Sequence, residues 1–145
     1  MYMLKTIFLK ISNIIIVSCL TILGFAVSCK KQPDEYGTPY AVFKVNGNVT
    51  NNQSNDKISG IRVIMNSDTS YTDSNGFYSV LDKWGFPSDQ TYYIHFQDID
   101  SITNGSFNNL DTAVHFINPT FSNGDGNWYS GETSKVFDVK LNPKP

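Results

Sequence analysis

The stretch whose reading decides the fold runs from Asn46 to Val80. It holds VNGNV (45–49), then GIRVIMN (60–66), then YTDSNGFYSV (71–80). Each piece is a short alternating apolar run closed by Gly or by an Asn/Asp turn signal, which is the pattern of half-buried strands. Ile61, Val63 and Met65 share one face, with Arg62 and Asn66 on the other. Asp73-Ser74-Asn75-Gly76 reads as a turn, because Asn and Gly tolerate positive φ and Asp can accept from the backbone just after it. Phe77-Tyr78-Ser79-Val80 then opens a new strand.

Working outward, Tyr40–Thr50 reads as the first strand. Ala41, Phe43, Val45 and Val49 lie on one face; Lys44, Asn46 and Asn48 lie on the other. Asn51–Lys57 is a polar loop, and Ser70–Thr72 a short strand. Leu81–Gln90 reads as a long connection, in which Trp84 and Phe86 sit among Gly85, Pro87 and Ser88 and are expected to plug the end of the domain. Thr91–Asp98 alternates cleanly, with Tyr92, Ile94 and Phe96 inward and Tyr93, His95 and Gln97 outward. Thr112–Ile117 is another strand. Trp128-Tyr129-Ser130-Gly131 leads to the last one, Lys135–Leu141, with Phe137, Val139 and Leu141 on its inner face. About seven short strands at this spacing predict an all-β, antiparallel, Ig-like sandwich.

Ahead of the sandwich lies a different kind of sequence. Met1–Lys10 carries Lys5 and Lys10, and Ile11–Val27 is almost wholly apolar, the n-region and h-region of a secretory signal helix. It ends in Ala26-Val27-Ser28-Cys29, which resembles a bacterial lipobox and makes Cys29 the expected lipidation site. Ile16-Val17-Ser18-Cys19 is a competing match, but polar sequence begins directly after Cys29. An uncleaved membrane anchor is the alternative, since the apolar run approaches the ~20 residues a spanning helix needs. The expected organisation is a signal at 1–28, a polar tether at 29–39 and the sandwich at 40–145. The chain is thus expected in a bacterial envelope, held to the membrane by lipid on Cys29, in the outer membrane and at its surface. Asp34 and Glu35 resemble surface-export signals, although Lys30 and Lys31 precede them.

Cysteine usage and charge narrow the function classes. With Cys19 removed and Cys29 acylated, the mature domain has no thiol, so a disulfide scaffold, a Cys zinc site and a Cys nucleophile are excluded. Loss of Lys5 and Lys10 takes the formal net charge from −2 to −4, and the absence of a basic patch argues against nucleic acid. No nucleophile elbow, phosphate loop or zinc-protease motif occurs. No catalytic residue is therefore assigned, and no cofactor is expected apart from calcium.

Four sets of residues carry candidate chemistry. His95 and His115 both fall on outer strand faces and read as exposed sheet histidines. Asp98, Asp100 and Asn104 could offer hard oxygen ligands to calcium, or could cap a strand-end turn. Trp84, Trp128 and Tyr129 could stack on a sugar or contact a peptide, or could bury their rings and hydrogen-bond their polar tips, the commoner arrangement. Asp100-Ser101-Ile102 and Asp111-Thr112-Ala113 resemble a three-residue O-glycosylation motif, with Ser101 and Thr112 as acceptors.

The order G-x-V, G-I-x-V, T-D-x-x-G-F across 47–77 resembles the carboxypeptidase-regulatory-like domain, which implies a transthyretin-like sandwich. More broadly, EYGTPYA (35–41), GIRV (60–63), YTD with Gly76, DID (98–100) with Asn104-Gly105, and WY with Gly131 resemble the small lipoproteins encoded beside radical SAM enzymes in Bacteroidetes-type bacteria. Lys57 and Ser59 stand where that family usually has Pro, and Ser101 where Gly is frequent. The resemblance implies that a radical SAM maturase acts on the chain or works in the same system; since no catalytic motif is present, the expectation is a non-enzymatic accessory or substrate component of that system. The competing expectation is a glycan- or peptide-binding surface lipoprotein.

Overall fold

The computed structural model describes residues 2–26, 37–100 and 104–145. Cys29, Asp34, Glu35 and Ser101 lie outside the described residues. The chain divides into two units, Met1–Tyr36 and Gly37–Pro145. In the first, α1 (Tyr2–Ala26) is helical. Ile7, Phe8, Ile14 and Val17 are among its exposed side chains, and Thr21 Oγ1 donates to the Val17 and Ser18 carbonyls. Among the described residues, no helix is long and apolar enough to cross a membrane.

The second unit is a β-sandwich, as the alternating runs require. Its strands are β1 (Tyr40–Asn51), β2 (Arg62–Met65), β3 (Asp68–Tyr71), β4 (Phe77–Gly85), β5 (Gln90–Gln97), β6 (Leu110–Phe116), β7 (Tyr129–Val136) and β8 (Val139–Leu141). One sheet is ordered β3-β2-β5-β6, all antiparallel. In the other, β1 is central: β4 pairs it antiparallel on one side, while β7 and then β8 run parallel to it on the other.

The core is the set of inward positions. Phe43, Val45 and Val49 of β1 meet Val63 and Met65 of β2 and Ile94 and Phe96 of β5, all fully buried. Rings interlock edge to face: Phe43 with Phe116 at 5.1 Å, and Tyr78 with Phe96 at 5.3 Å between centroids. Such pairs add about 0.5–1.5 kcal/mol beyond the area they bury. The Asp73–Gly76 turn forms as its residues dictate. Asp73 Oδ1 accepts from the Asn75 and Phe77 N–H groups, and Gly76 takes φ +69°, where a Cβ would sit 2.5 Å from the Val49 carbonyl oxygen.

The structure corrects the sequence reading at three places. β4 does not end at Val80 but continues to Gly85, through what was read as a connection. The last strand is longer and interrupted: β7 begins at Tyr129, and the chain leaves the ladder at Phe137-Asp138 before β8. The break is still tied to β1, because Phe137 N–H donates to the Asn46 carbonyl and Asp138 Oδ1 accepts from Asn48 N–H at 2.8 Å. Third, pairing of β7 and β8 with β1 is parallel, so the sheet is mixed.

Candidate functional site

The outer face of the β1 sheet is remodelled at one level by irregularities on both sides of β1. Toward β4 the register runs Phe43↔Asp82 and then Ala41↔Gly85, so Lys83 and Trp84 together oppose the single residue Val42. This is a β-bulge, a device that re-aims a side chain. Without it, strict alternation from Tyr78 and Val80 would send Trp84 into the core. With it, Gly85 takes the inward place and Trp84 turns out, where it is 74% exposed. Only Gly fits inward there: a Cβ would lie 2.5 Å from a Phe43 ring carbon and from the Tyr92 hydroxyl. Asp82 holds the bulge, its Oδ1 accepting from Trp84 N–H at 3.1 Å and its Oδ2 from the Asn66 amide at 3.2 Å.

On the other side of β1 the register runs Tyr40↔Tyr129 and then Val42↔Glu132, again with an extra residue on the neighbour. Gly131 absorbs it at φ +110°, close against the Ser122 carbonyl. Tyr40 N–H donates to the Trp128 carbonyl at 2.8 Å, fixing the start of β1 to this corner.

The two bulges gather aromatic rings that are remote in sequence. Tyr40 lies between Trp84, 4.8 Å away, and Tyr129, 5.3 Å away, centroid to centroid. A cleft of about 470 Å³ opens beside them, lined by Gly37, Thr38, Pro39, Tyr40, Trp84, Phe86 and Trp128. Gly37 rests against the Trp128 indole so closely that a Cβ there would be 2.9 Å from it. Both tryptophans of the chain are in this cleft.

The hollow continues along β1. A stretch of about 270 Å³ is lined by Tyr40, Val42, Lys44, Leu81, Lys83, Trp84 and Glu132. Beyond it, about 340 Å³ is lined by polar groups, including Asn46, Thr120, Ser122, Thr133 and Ser134. Lys44 and Glu132, which border both, stand 3.8 Å apart, Nζ to Oε2. The face therefore grades from aromatic to hydrogen-bonding over the length of one strand.

Trp84, Trp128 and Tyr129 are thus brought together, and the expectation that Trp84 and Phe86 plug the sandwich is corrected: the bulge puts both outside, Phe86 being 51% exposed. Trp128 and Tyr129 are half-buried at the cleft wall. Tyr40 and Phe86 were missed as site residues. Tyr40 heads a run of alternating outward residues, and that was the available signal.

The acidic cluster is arranged differently. Asp98 Oδ2 accepts from Phe107 N–H at 2.7 Å, and the Asn109 side chain accepts from Asp98 N–H. Asn104 donates to the Ser59 carbonyl. Asp100 and Asn104 both border Gly60, which takes φ +80°. These are the contacts of a strand-end turn. Among the described residues no group of three or more His, Cys, Asp or Glu is placed to hold a metal ion.

His95 and His115 stand on the outer face of the other sheet, as read. His95 Nδ1 is 2.7 Å from Asp111 Oδ1, and His115 Nδ1 is 2.9 Å from Thr91 Oγ1. Thr112 lies within β6 opposite Ile94, half-buried on the side of Val114 and Phe116.

Two buried tyrosines complete the electrostatics. Burial raises the pKa of Tyr78 well above the usual phenol value, and the Asp138 carboxylate adds to the effect. Its hydroxyl donates to the Phe137 carbonyl at 2.7 Å. Tyr92, below Gly85, is raised mainly by burial and then by the Asp82 carboxylate that its hydroxyl faces. Comparison with protein-family models and with curated proteins finds no match to this chain.

Proposed function

We propose that this chain is a lipid-anchored envelope protein whose sandwich works as a glycan-binding module. The observation that carries the reading is the aromatic cleft at the head of β1, where a bulge spends a glycine to present Trp84 to solvent beside Tyr40. Pyranose rings have apolar C–H faces and hydroxyl edges. A surface that offers flat rings beside Asn, Thr and Ser groups meets both requirements at once. Anchoring at Cys29 is supported by the signal-like segment and the lipobox-like residues before it. The maturase association rests on the sequence resemblance alone.

Trp84 exposes most of its surface, and stacking that covers about 80 Å² of it is worth roughly 2 kcal/mol at 25 cal/mol per Å². Because both tryptophans line the cleft, intrinsic fluorescence of the full chain in detergent reports on this site. Titration with a panel of soluble oligosaccharides is expected to shift the emission. Trp84→Ala should weaken binding about 30-fold while leaving the melting temperature unchanged. No response to any glycan, or a response only to peptides, would overturn the reading.

A further inference from the structure

We infer that the glycan accepted by this face is an extended anionic chain, lying along β1 with an acidic unit on Lys83. This rests on the glycan-binding reading above and names the ligand class. The extent comes from the hollows. Aromatic, mixed and polar stretches follow one another from Tyr40 to Asn46 and share lining residues, so they form one track. The six steps from Tyr40 to Asn46, at about 3.3 Å each, give roughly 20 Å, which is several sugar units rather than one.

The charge comes from the bulge. Because Lys83 and Trp84 both oppose Val42, a cation is placed directly beside the exposed indole, in the middle of the track. Lys83 makes no ion pair or side-chain hydrogen bond among the described residues. The nearest acid in sequence, Asp82, does not neutralise it, since Asp82 stands opposite the inward-facing Phe43 and is engaged by Asn66 and by Trp84 N–H. Glu132 is set against Lys44. The middle of the track thus holds two lysines and one glutamate, a positive sum on a chain whose net charge is −2. A carboxylate or sulfate on the ligand would supply the partner that Lys83 lacks, in a charge-assisted contact stronger than a neutral one.

The test uses full-length protein in detergent, read by tryptophan fluorescence. The ligands are neutral glucose oligomers, uronic acid oligomers and sulfated oligomers, each as dimer and hexamer. Hexamers of an acidic series are expected to bind at least tenfold tighter than neutral hexamers and than their own dimers. Lys83→Gln should remove most of the acidic advantage by weakening acidic hexamers far more than neutral ones, and raising salt should act in the same direction. Which acidic series wins separates carboxylate from sulfate. Equal binding of neutral and acidic hexamers, or a Lys83→Gln protein that keeps the preference, overturns this inference and leaves the glycan-binding reading intact. Dimers that bind as well as hexamers overturn the extended track. Failure of every oligomer to bind overturns both.

Discussion

Replacing Gly85 by Ala adds one methyl group, and the structure says where it goes. The new Cβ would lie 2.5 Å from Phe43 Cδ2, 2.6 Å from Phe43 Cε2 and 2.5 Å from the Tyr92 hydroxyl. Carbon atoms settle at about 3.5–4.0 Å, so roughly 1 Å of movement is needed. The rings cannot supply it cheaply. Phe43 is fully buried and packs edge-on against both Phe116 and Phe121, while Tyr92 is held by Phe43 and Phe116. Overpacking of this kind costs about 1–3 kcal/mol. At about 2 kcal/mol the melting temperature should fall by roughly 10 °C for a domain of this size. The alternative escape is for the end of β4 to lift away, which carries Trp84 off Tyr40 and weakens ligand binding as well. Differential scanning fluorimetry of Gly85→Ala, Phe43→Leu and the double variant measures the stability part. Gly85→Ala should cost less in the Phe43→Leu background, where the smaller side chain makes room. A Gly85→Ala protein that melts within 2 °C of the parent would refute the packing argument and, with it, the reason given for Trp84 facing outward.

Three further outcomes are expected. Tyr78 and Tyr92 have raised pKa values in the folded state, so the fold retains their protons after the unfolded chain has lost them above about pH 10. Their contribution is fully present below that pH and declines as pH rises further; urea denaturation between pH 7 and 11 should show it, with a shallower alkaline fall in Tyr78→Phe. Asp98→Asn should lower stability by about 1–3 kcal/mol through its contact with Phe107 N–H, equally with and without millimolar calcium; a loss seen only with calcium would place a cation at Asp98, Asp100 and Asn104. Finally, intact mass of membrane-derived protein should carry a lipid-sized increment that Cys29→Ala removes, and a chain that keeps residues 1–28 and bears no lipid would end the anchoring proposal.

The sandwich was legible where neighbouring residues alone decide the outcome. Tyr92, Ile94 and Phe96 alternate with polar partners, and Asp73 to Gly76 carries its own turn chemistry, so both read correctly. What escaped was non-local. The bulge before Gly85 breaks the period of two, and its cause is Phe43 and Tyr92, which only the fold brings under that glycine. A tryptophan between a lysine and a glycine looks like a core plug until the register of the neighbouring strand is known. The parallel pairing of β7 and β8 was hidden for the same reason, since no local signal distinguishes it from a hairpin. Trp84 and Tyr129 could therefore be named together as candidate stacking residues, but not the Tyr40 ring that joins them.

The central position of β1 sets an order of assembly. Its partner on one side arrives with the 77–85 segment, but the other side stays open until residues 129–141 are present. Asn48 and Asp138, which meet there, are 90 residues apart. The opposite sheet is built largely from nearer neighbours and can organise earlier. Contacts of such long sequence separation are slow to form, because loop closure must precede the gain. Until then β1 is a bare edge with a strongly apolar face, and the bulged end of the cleft is only half built. A chain exported as proposed, from its amino terminus, would therefore stay open for most of its passage, and the proposed ligand face would be finished last, on the far side.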